Sequence, residues 1–382
     1  MFTRLYLHIP FCRRKCPYCA FYSREESPER LAHYTDLLLR EMELAADSTP
    51  SEYPLESIYF GGGTPSLLEP DQLRRLLDRA ISLFGLAPEA EITLEANPGT
   101  VDGPKLAAYR SAGANRLSLG VQSFNVTMLE KLGRIHTADQ ARQAFSQARQ
   151  SGFSNIGIDL IHALPGQTMA QWHEDLQQAL KLTPEHLSIY GLTVEEGTPF
   201  AGRYPEGNGE LPSDDSAAEM FETTRELLTG AGYEHYEIAN YARPGFRSRH
   251  NSGYWQRDGY LGLGAGAHSF LRNSAYGSRC CNPADLDSYN VSLAAGILPR
   301  SDLASIERED AMAEFIFLGL RMADGISFSR FRSAFGAELT EIFGAEITTL
   351  QTLDLITTAA DSMRLTLRGM LLSNQVFQRF LP

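Results

Sequence analysis

The sequence predicts an α/β fold built on a parallel sheet, and three observations carry this. Through the first half of the 382-residue chain, short apolar runs alternate with longer segments of helical periodicity. Helix start and stop residues stand at the joints. The chemically distinctive residues fall just after the strand-like runs, where βα units place their functional loops.

The strand-like runs are 5–9, 57–60, 91–96, 116–121, 155–160 and 186–191. Between them lie helical patterns over 27–46, 69–84, 101–112, 138–151 and 169–182. Ser27-Pro28 and Glu69-Pro70 read as helix starts, since proline fits the first helical turn. Gly113 and Gly152 follow two helices as C-caps. Repeated βα units give a parallel sheet, and periodicity leaves an open sheet and a barrel equally available. Beyond about residue 197 the pattern loosens. A polar Gly/Pro-rich loop is expected over 202–213, a helix over 214–230 and an aromatic strand over 233–241. Two motifs follow: His250-Asn251 with Tyr254-Trp255, then the glycine-rich run from Gly259 to His268. Past residue 299 the pattern is mostly helical, starting with an amphipathic stretch over 306–321. Three parts are expected: 1–235, a linking segment 236–298 that carries both motifs, and a small helical domain 299–382.

Composition narrows the function classes. Hydrophobic residues make up 43% of the chain, enough for a large core. The formal net charge of −13 speaks against a general nucleic-acid binder. No apolar run approaches the ~20 residues that span a bilayer, and the start lacks signal-peptide architecture. The expectation is a cytoplasmic protein in a reducing compartment.

Cys12, Cys16 and Cys19 form a C-x3-C-x2-C loop directly after the first strand-like run. Three thiolates so spaced can hold three corners of a cubane iron–sulfur cluster and leave the fourth iron open to a small molecule. They can equally hold structural zinc, with His8 or His33 completing the set. Disulfides do not fit an odd number of cysteines in this setting. The cysteine loop followed by Gly61-Gly-Gly-Thr-Pro65 resembles the radical S-adenosylmethionine (SAM) superfamily, specifically its coproporphyrinogen-oxidase-like branch, over nearly the whole chain. The resemblance implies a partial, six-stranded (β/α) barrel with a small, mostly helical, winged-helix-like C-terminal domain. It implies a [4Fe–4S] cluster on the three cysteines, with SAM at the fourth iron. In that family reduction of the cluster cleaves SAM to a 5′-deoxyadenosyl radical, and an electron donor is therefore an implied partner.

Residue by residue, the resemblance assigns Gly62, Gly63 and Thr64 to the methionyl end of SAM. Glycines there let backbone groups approach closely. Glu95, Gln122, Arg134 and Asp159 match the remaining SAM set in order, and their chemistry suits it. The carboxylates accept from an ammonium or from hydroxyls, and the guanidinium takes a carboxylate. Tyr6 and Tyr18 match aromatic positions beside cluster and cofactor, and Thr193 matches a pocket position that acts through its backbone. Each of these residues also has an ordinary reading as a cap, a surface charge or core.

Two departures concern the reaction. Oxygen-independent coproporphyrinogen oxidases carry a further cysteine where this chain has Phe21, and a longer segment before the first strand. Both put oxidative decarboxylation of coproporphyrinogen III in doubt. The HNxxYW pattern at His250 resembles that of haem chaperones in the branch. An imidazole flanked by aromatics suits a porphyrin, and a satisfied core histidine fits the same pattern. The function expected is binding of haem and its transfer to an acceptor protein, with His250 as the haem residue and His268 as a lesser candidate. The alternatives are the oxidase, a radical SAM enzyme on another substrate, and a zinc-stabilised binding module. Cys280 and Cys281 are expected to be incidental.

Overall fold

The computed structural model describes residues 1–25, 27–49, 52–205, 207–272 and 275–382. Six consecutive parallel strands form its centre: β1 (Arg4–Ile9), β2 (Leu55–Gly62), β3 (Leu86–Ala96), β4 (Arg116–Gln122), β5 (Ile156–His162) and β6 (His186–Gly191). Each lies beside its predecessor in order 1-2-3-4-5-6. Helices α1 (Pro28–Ser48), α2 (Pro70–Phe84), α3 (Gly103–Ala112), α4 (Val126–Lys131), α5 (Ala138–Gln150) and α6 (Met169–Leu182) connect them. The start signals act locally as read. Ser27 accepts from the Arg30 N–H and precedes Pro28 at the first helical position. Gln72 reaches back to the Glu69 N–H at 2.7 Å. Thr137 with Gln140 and Thr168 with Gln171 form capping boxes on α5 and α6. The short α4 has no counterpart in the sequence reading; Asn125 caps it by accepting from the N–H groups of Thr127 and Met128.

The sheet does not stop at six strands. Six more complete it: β7 (Glu234–Glu237), β8 (Asn240–Ala242), β9 (Tyr260–Leu263), β10 (His268–Leu271), β11 (Ser278–Cys281) and β12 (Ser301–Ser305). The full order is β12-β11-β10-β9-β1-β2-β3-β4-β5-β6-β8-β7, with two free ends. The expected single aromatic strand is a hairpin, β7 and β8. It reverses at Ile238-Ala239, where Glu237 accepts from the Ala239 N–H. The segment expected to link domains instead supplies β9, which pairs parallel with β1 in the register Arg4↔Tyr260 to Leu7↔Leu263. Its strands are three or four residues long, too short for periodicity or length to mark them. The partner of β9, strand β1, lies some 250 positions away, and only the fold supplies it. Of the expected loop over 202–213, part is a short helix, Pro199–Arg203, and position 206 lies outside the described residues.

The main core fills the space between the inner parallel strands and their helices, with Leu5, Leu7, Ile58, Leu94, Leu117 and Ile158 among its wholly buried residues. A second core, from Ala311 to Phe380, is built on Ile316, Phe331, Leu350 and Met363. Helices dominate that end, and a three-stranded antiparallel sheet (Ile326–Ser327, Ser362–Leu365, Ile356–Ala359) joins them.

One buried carboxylate ties the added strands to the first helix. Glu41 of α1 is 1% exposed. It accepts from the Gly264 N–H at 2.8 Å, Asn282 Nδ2 at 2.6 Å and the Tyr289 hydroxyl at 2.6 Å. Burial raises its pKa, and those three donors oppose the rise. Tyr34, also on α1, donates to the His8 carbonyl at 3.0 Å and accepts from the Ala265 N–H at 2.9 Å. Replacing Glu41 by Ala orphans three buried donors. The expected loss is roughly 2–4 kcal/mol of stability, read as a lowered urea midpoint; an unchanged midpoint would remove this network from the account of how β9 is held.

Candidate functional site

The interior face of the parallel strands is polar at alternating positions, as strand geometry requires of residues sharing one side. Tyr6 and His8 stand on β1, Tyr59 and Gly61 on β2, and Thr93 and Glu95 on β3. Ser118 and Gly120 follow on β4, Asp159 on β5, and Ser188 and Tyr190 on β6. Register aligns them in layers: Tyr6 with Tyr59, Glu95 with Ser118, and Gly120 with Asp159 and Ser188. The outward neighbours are the wholly buried Leu, Ile and Phe residues under the helices.

The cysteine loop caps the C-terminal end of β1. Cys12, Cys16 and Cys19 are all free and partly exposed. Among the described residues no three Cys, His, Asp or Glu side chains converge on a point that one ion could occupy. Each sulfur nevertheless has a donor. The Thr64 hydroxyl lies 3.5 Å from Cys12 Sγ, and Arg134 Nη1 lies 3.5 Å from Cys16 Sγ. The Phe21 N–H hydrogen-bonds Cys19, opposing burial, which pushes that thiol's pKa up. Such donors are the contacts by which a protein tunes a thiolate-held cluster. On donor type and number, the loop fits a three-point cubane site.

The glycine turn after β2 fits against this loop. A Cβ on Gly63 would lie 2.7 Å from the Phe11 carbonyl oxygen and 2.8 Å from its nitrogen. On Gly62, whose φ is +112°, it would lie 2.6 Å from the His8 ring. The turn expected to meet a ligand through its backbone also packs closely on Phe11 and His8 of this chain. The Gly62 N–H is itself engaged, donating to Glu95 Oε2 at 3.2 Å.

Glu95 is a strongly perturbed carboxyl of the interior. The Tyr59 hydroxyl donates to its Oε1 at 2.7 Å. Burial lifts its pKa to about 7 against that bond, and nearby Asp159 adds to the rise. Asp159 accepts from Ser118 Oγ at 3.2 Å, and burial raises its pKa too. Arg134 donates to the Gly120 carbonyl at 2.8 Å, while its buried Nε has no partner among the described residues. Gln122 sits at φ +68°, and its side chain folds back over Gly120. Tyr18 hydrogen-bonds Cys16 and Arg134, beside Phe200. The Tyr6 hydroxyl meets His8 Nδ1 at 3.0 Å. Of the expected residues, Tyr18, Thr64 and Arg134 touch the cysteine sulfurs and Gly63 packs on the loop, while Tyr6, Gly62, Glu95, Gln122 and Asp159 lie on the parallel strands. Thr193 follows β6 but is exposed, with no side-chain hydrogen bond among the described residues.

His250 is placed otherwise than an iron ligand would be. It is 0% exposed on the helix Arg249–Trp255, with Nδ1 2.8 Å from Ser57 Oγ and Nε2 2.8 Å from the Tyr254 hydroxyl. Both ring nitrogens are taken. Burial, with Arg4 and Arg116 nearby, pushes its pKa down to about 3 and keeps the ring neutral. The sequence reading offered His8 only as a zinc ligand and missed Tyr59, Ser118 and Ser188, although their strict alternation with buried apolar residues was a usable signal.

The comparisons with known proteins agree with this geometry. Residues 6–179 match the family model described as the radical SAM superfamily, and residues 306–372 match the HemN C-terminal domain. The fold and cysteine loop are therefore of the radical SAM class. Coproporphyrinogen III oxidase (HemN) from Escherichia coli shares the fold, with a TM-score of 0.85 at 24% identity over 99% of this chain and 90% of that one. Among curated proteins, the heme chaperone HemW of Bacillus subtilis is 36% identical over 98% of both chains. The heme chaperone HemW of Escherichia coli is 43% identical over 69% of both. The chain belongs to the HemW family.

Two outcomes follow from the site. Gly63→Ala should displace the Phe11-Cys12 backbone, because no flexible side chain is there to yield. Iron bound after anaerobic reconstitution should fall at least about twofold in that variant, since Cys12 lies next to the clash; full iron content by colorimetric assay would argue against it. For Glu95, the folded protein holds a proton that the unfolded chain releases. The contribution of Glu95 to the stability of the cofactor-free protein should be fully present below pH 4.5 and be lost as pH rises through about 7. Glu95→Gln should flatten that slope, measured by urea unfolding across the interval, and an unchanged slope would place the proton elsewhere.

Proposed function

We propose that this protein is a haem chaperone: it binds haem, carries a SAM-ligated [4Fe–4S] cluster, and passes haem to an acceptor protein. The observation that carries the cofactor part is the set of three thiols at the end of β1, each with its own hydrogen-bond donor, facing a polar strand interior. Cys12, Cys16 and Cys19 would hold the cluster. Gly62, Gly63, Thr64, Glu95, Gln122, Arg134 and Asp159 would hold SAM, with Tyr6, Tyr18 and Thr193 beside it, and the glycines also keep the turn tight against the loop. Arg134 suits a carboxylate, since its Nε has no partner among the described residues. The bound group supplies one-electron chemistry; the chain's own residues orient it and keep neutral polar groups around it.

Haem binding and delivery rest on family membership, since curated relatives covering nearly the whole chain are heme chaperones. The reading requires two partners, an electron donor for the cluster and a haem acceptor, and a reducing compartment such as the cytoplasm suits it. No helix of the described residues is long and apolar enough to cross a membrane. In this reading residues 1–235 hold cluster and SAM, 236–298 face the haem, and 299–382 close over them. Phe21, 69% exposed, occupies the place of the oxidases' further cysteine, which favours the chaperone over coproporphyrinogen decarboxylation.

The test is reconstitution under anaerobic reducing conditions. Alanine at Cys12, Cys16 or Cys19 should remove most of the bound iron, whereas alanine at Cys280 or Cys281 should leave it unchanged. The wild-type protein should bind haem stoichiometrically and leave coproporphyrinogen III intact, followed by absorption and by product analysis. A full cubane in Cys16→Ala by Mössbauer spectroscopy would defeat the cluster assignment, and decarboxylation without haem binding would defeat the chaperone reading.

A further inference from the structure

Resting on the chaperone reading, we propose that haem docks in the cavity between the cysteine loop and the added strands β9–β11, with His268 as the ligand to its iron. The cavity has a volume of about 550 Å³, within the range of sites that take a cofactor-sized molecule. Its walls come from Phe21 beside the cysteine loop, Tyr254 and Trp255 of the HNxxYW helix, and Tyr260 and Phe270 of β9 and β10. Flat aromatic faces of this kind suit a macrocycle. The site thus uses the aromatic half of the HNxxYW motif, while the motif's histidine is committed to Ser57 and Tyr254.

Elimination among the nine histidines leads to the same residue. Of these only His8 and His268 line the cavity, and both ring nitrogens of His8 are taken, by the Tyr6 hydroxyl and the Tyr22 carbonyl, each at 3.0 Å. His162 is buried against Trp172, and His173 is exposed on α6. His268 is exposed, lines the cavity, and has neither ring nitrogen hydrogen-bonded among the described residues. An uncommitted imidazole offers iron the lone pair that His250 cannot.

Charge at the rim supports the same ligand. Arg257 and Arg279 both line the cavity, and both pair with the single carboxylate of Glu314, at 3.0 and 2.9 Å. Two guanidiniums on one carboxylate leave a positive surplus in a chain of net charge −13, suited to the carboxylates of a porphyrin's propionates. Asp258, the acid on this wall, is already paired with Arg4 at 3.0 Å. The buried indole N–H of Trp255 has no partner among the described residues. Glu314 and Leu318, which also lines the cavity, belong to the C-terminal helix Arg308–Gly319, so this wall couples the haem site to the second core.

The experiment titrates ferric haem, and separately iron-free protoporphyrin IX, into full-length wild type, His268→Ala, His250→Ala and Ala284→Trp, with circular dichroism confirming the fold of each. Ala284 is an exposed wall residue, and an indole there would obstruct the cavity. His268→Ala should shift the Soret band and weaken haem binding by about tenfold or more. Added imidazole should restore the wild-type spectrum, and protoporphyrin IX should bind wild type and this variant alike. Ala284→Trp should weaken both ligands, and folded His250→Ala should keep the wild-type Soret band. Wild-type spectrum and affinity in His268→Ala, or a shift confined to His250→Ala, would overturn this site and leave the chaperone reading standing. Failure of the wild-type protein to bind haem would overturn both.

Discussion

Strand β1 is the constraint on which the rest of the molecule depends. It pairs in parallel with β2 on one side and with β9 on the other, then runs directly into the cysteine loop. The first pairing places the glycine turn against Phe11 and His8, so that the turn and the loop can only exist as a close-packed unit. The second brings the glycine-rich segment, and with it His268, to the opposite flank of the same loop. A backbone fixed by ladder hydrogen bonds on both edges has little freedom to shift, and the thiols inherit that rigidity. Glu41 and Tyr34 reinforce it from α1, each bridging the loop after β9 to an element on the other side.

The interior of the parallel strands solves an electrostatic problem that a wholly apolar barrel does not have. Burial raises the proton affinity of the carboxyl groups of Glu95 and Asp159, and nearby Asp159 raises that of Glu95 further. Hydroxyls from Tyr59, Ser118 and Ser188 offset part of that cost by donating to them. Such a lining keeps hydrogen-bonding capacity available in a place where leaving a charge unpaired is expensive. It also explains why the polar residues alternate so regularly with Leu, Ile and Val: the same strands must face helices on one side and this lining on the other.

The two histidine-bearing motifs of the middle segment divide their work. The HNxxYW helix buries its histidine between Ser57 and Tyr254 and presents Tyr254 and Trp255 to a cavity. The glycine-rich strand that follows leaves its histidine exposed on the same cavity. Proximity of an imidazole to aromatics in sequence therefore does not say which imidazole is accessible. That depends on which hydroxyls the fold brings within reach, and Ser57 lies on a strand 193 residues away.

The amino-acid sequence by itself determined the βα succession, the helix starts, and the cysteine and glycine motifs at strand ends. Those features rest on interactions a few residues long: alternation, capping, and turns that need glycine. Tertiary structure alone decided the outer strands β9–β12, since segments of four or five residues are too short to be read by periodicity, and β9 gains its identity from a partner strand distant in the chain. It decided that Gly62 and Gly63 are required by His8 and Phe11. It also decided that His250 is occupied while His268 is open, because hydrogen-bond saturation depends on groups that sequence proximity does not reveal.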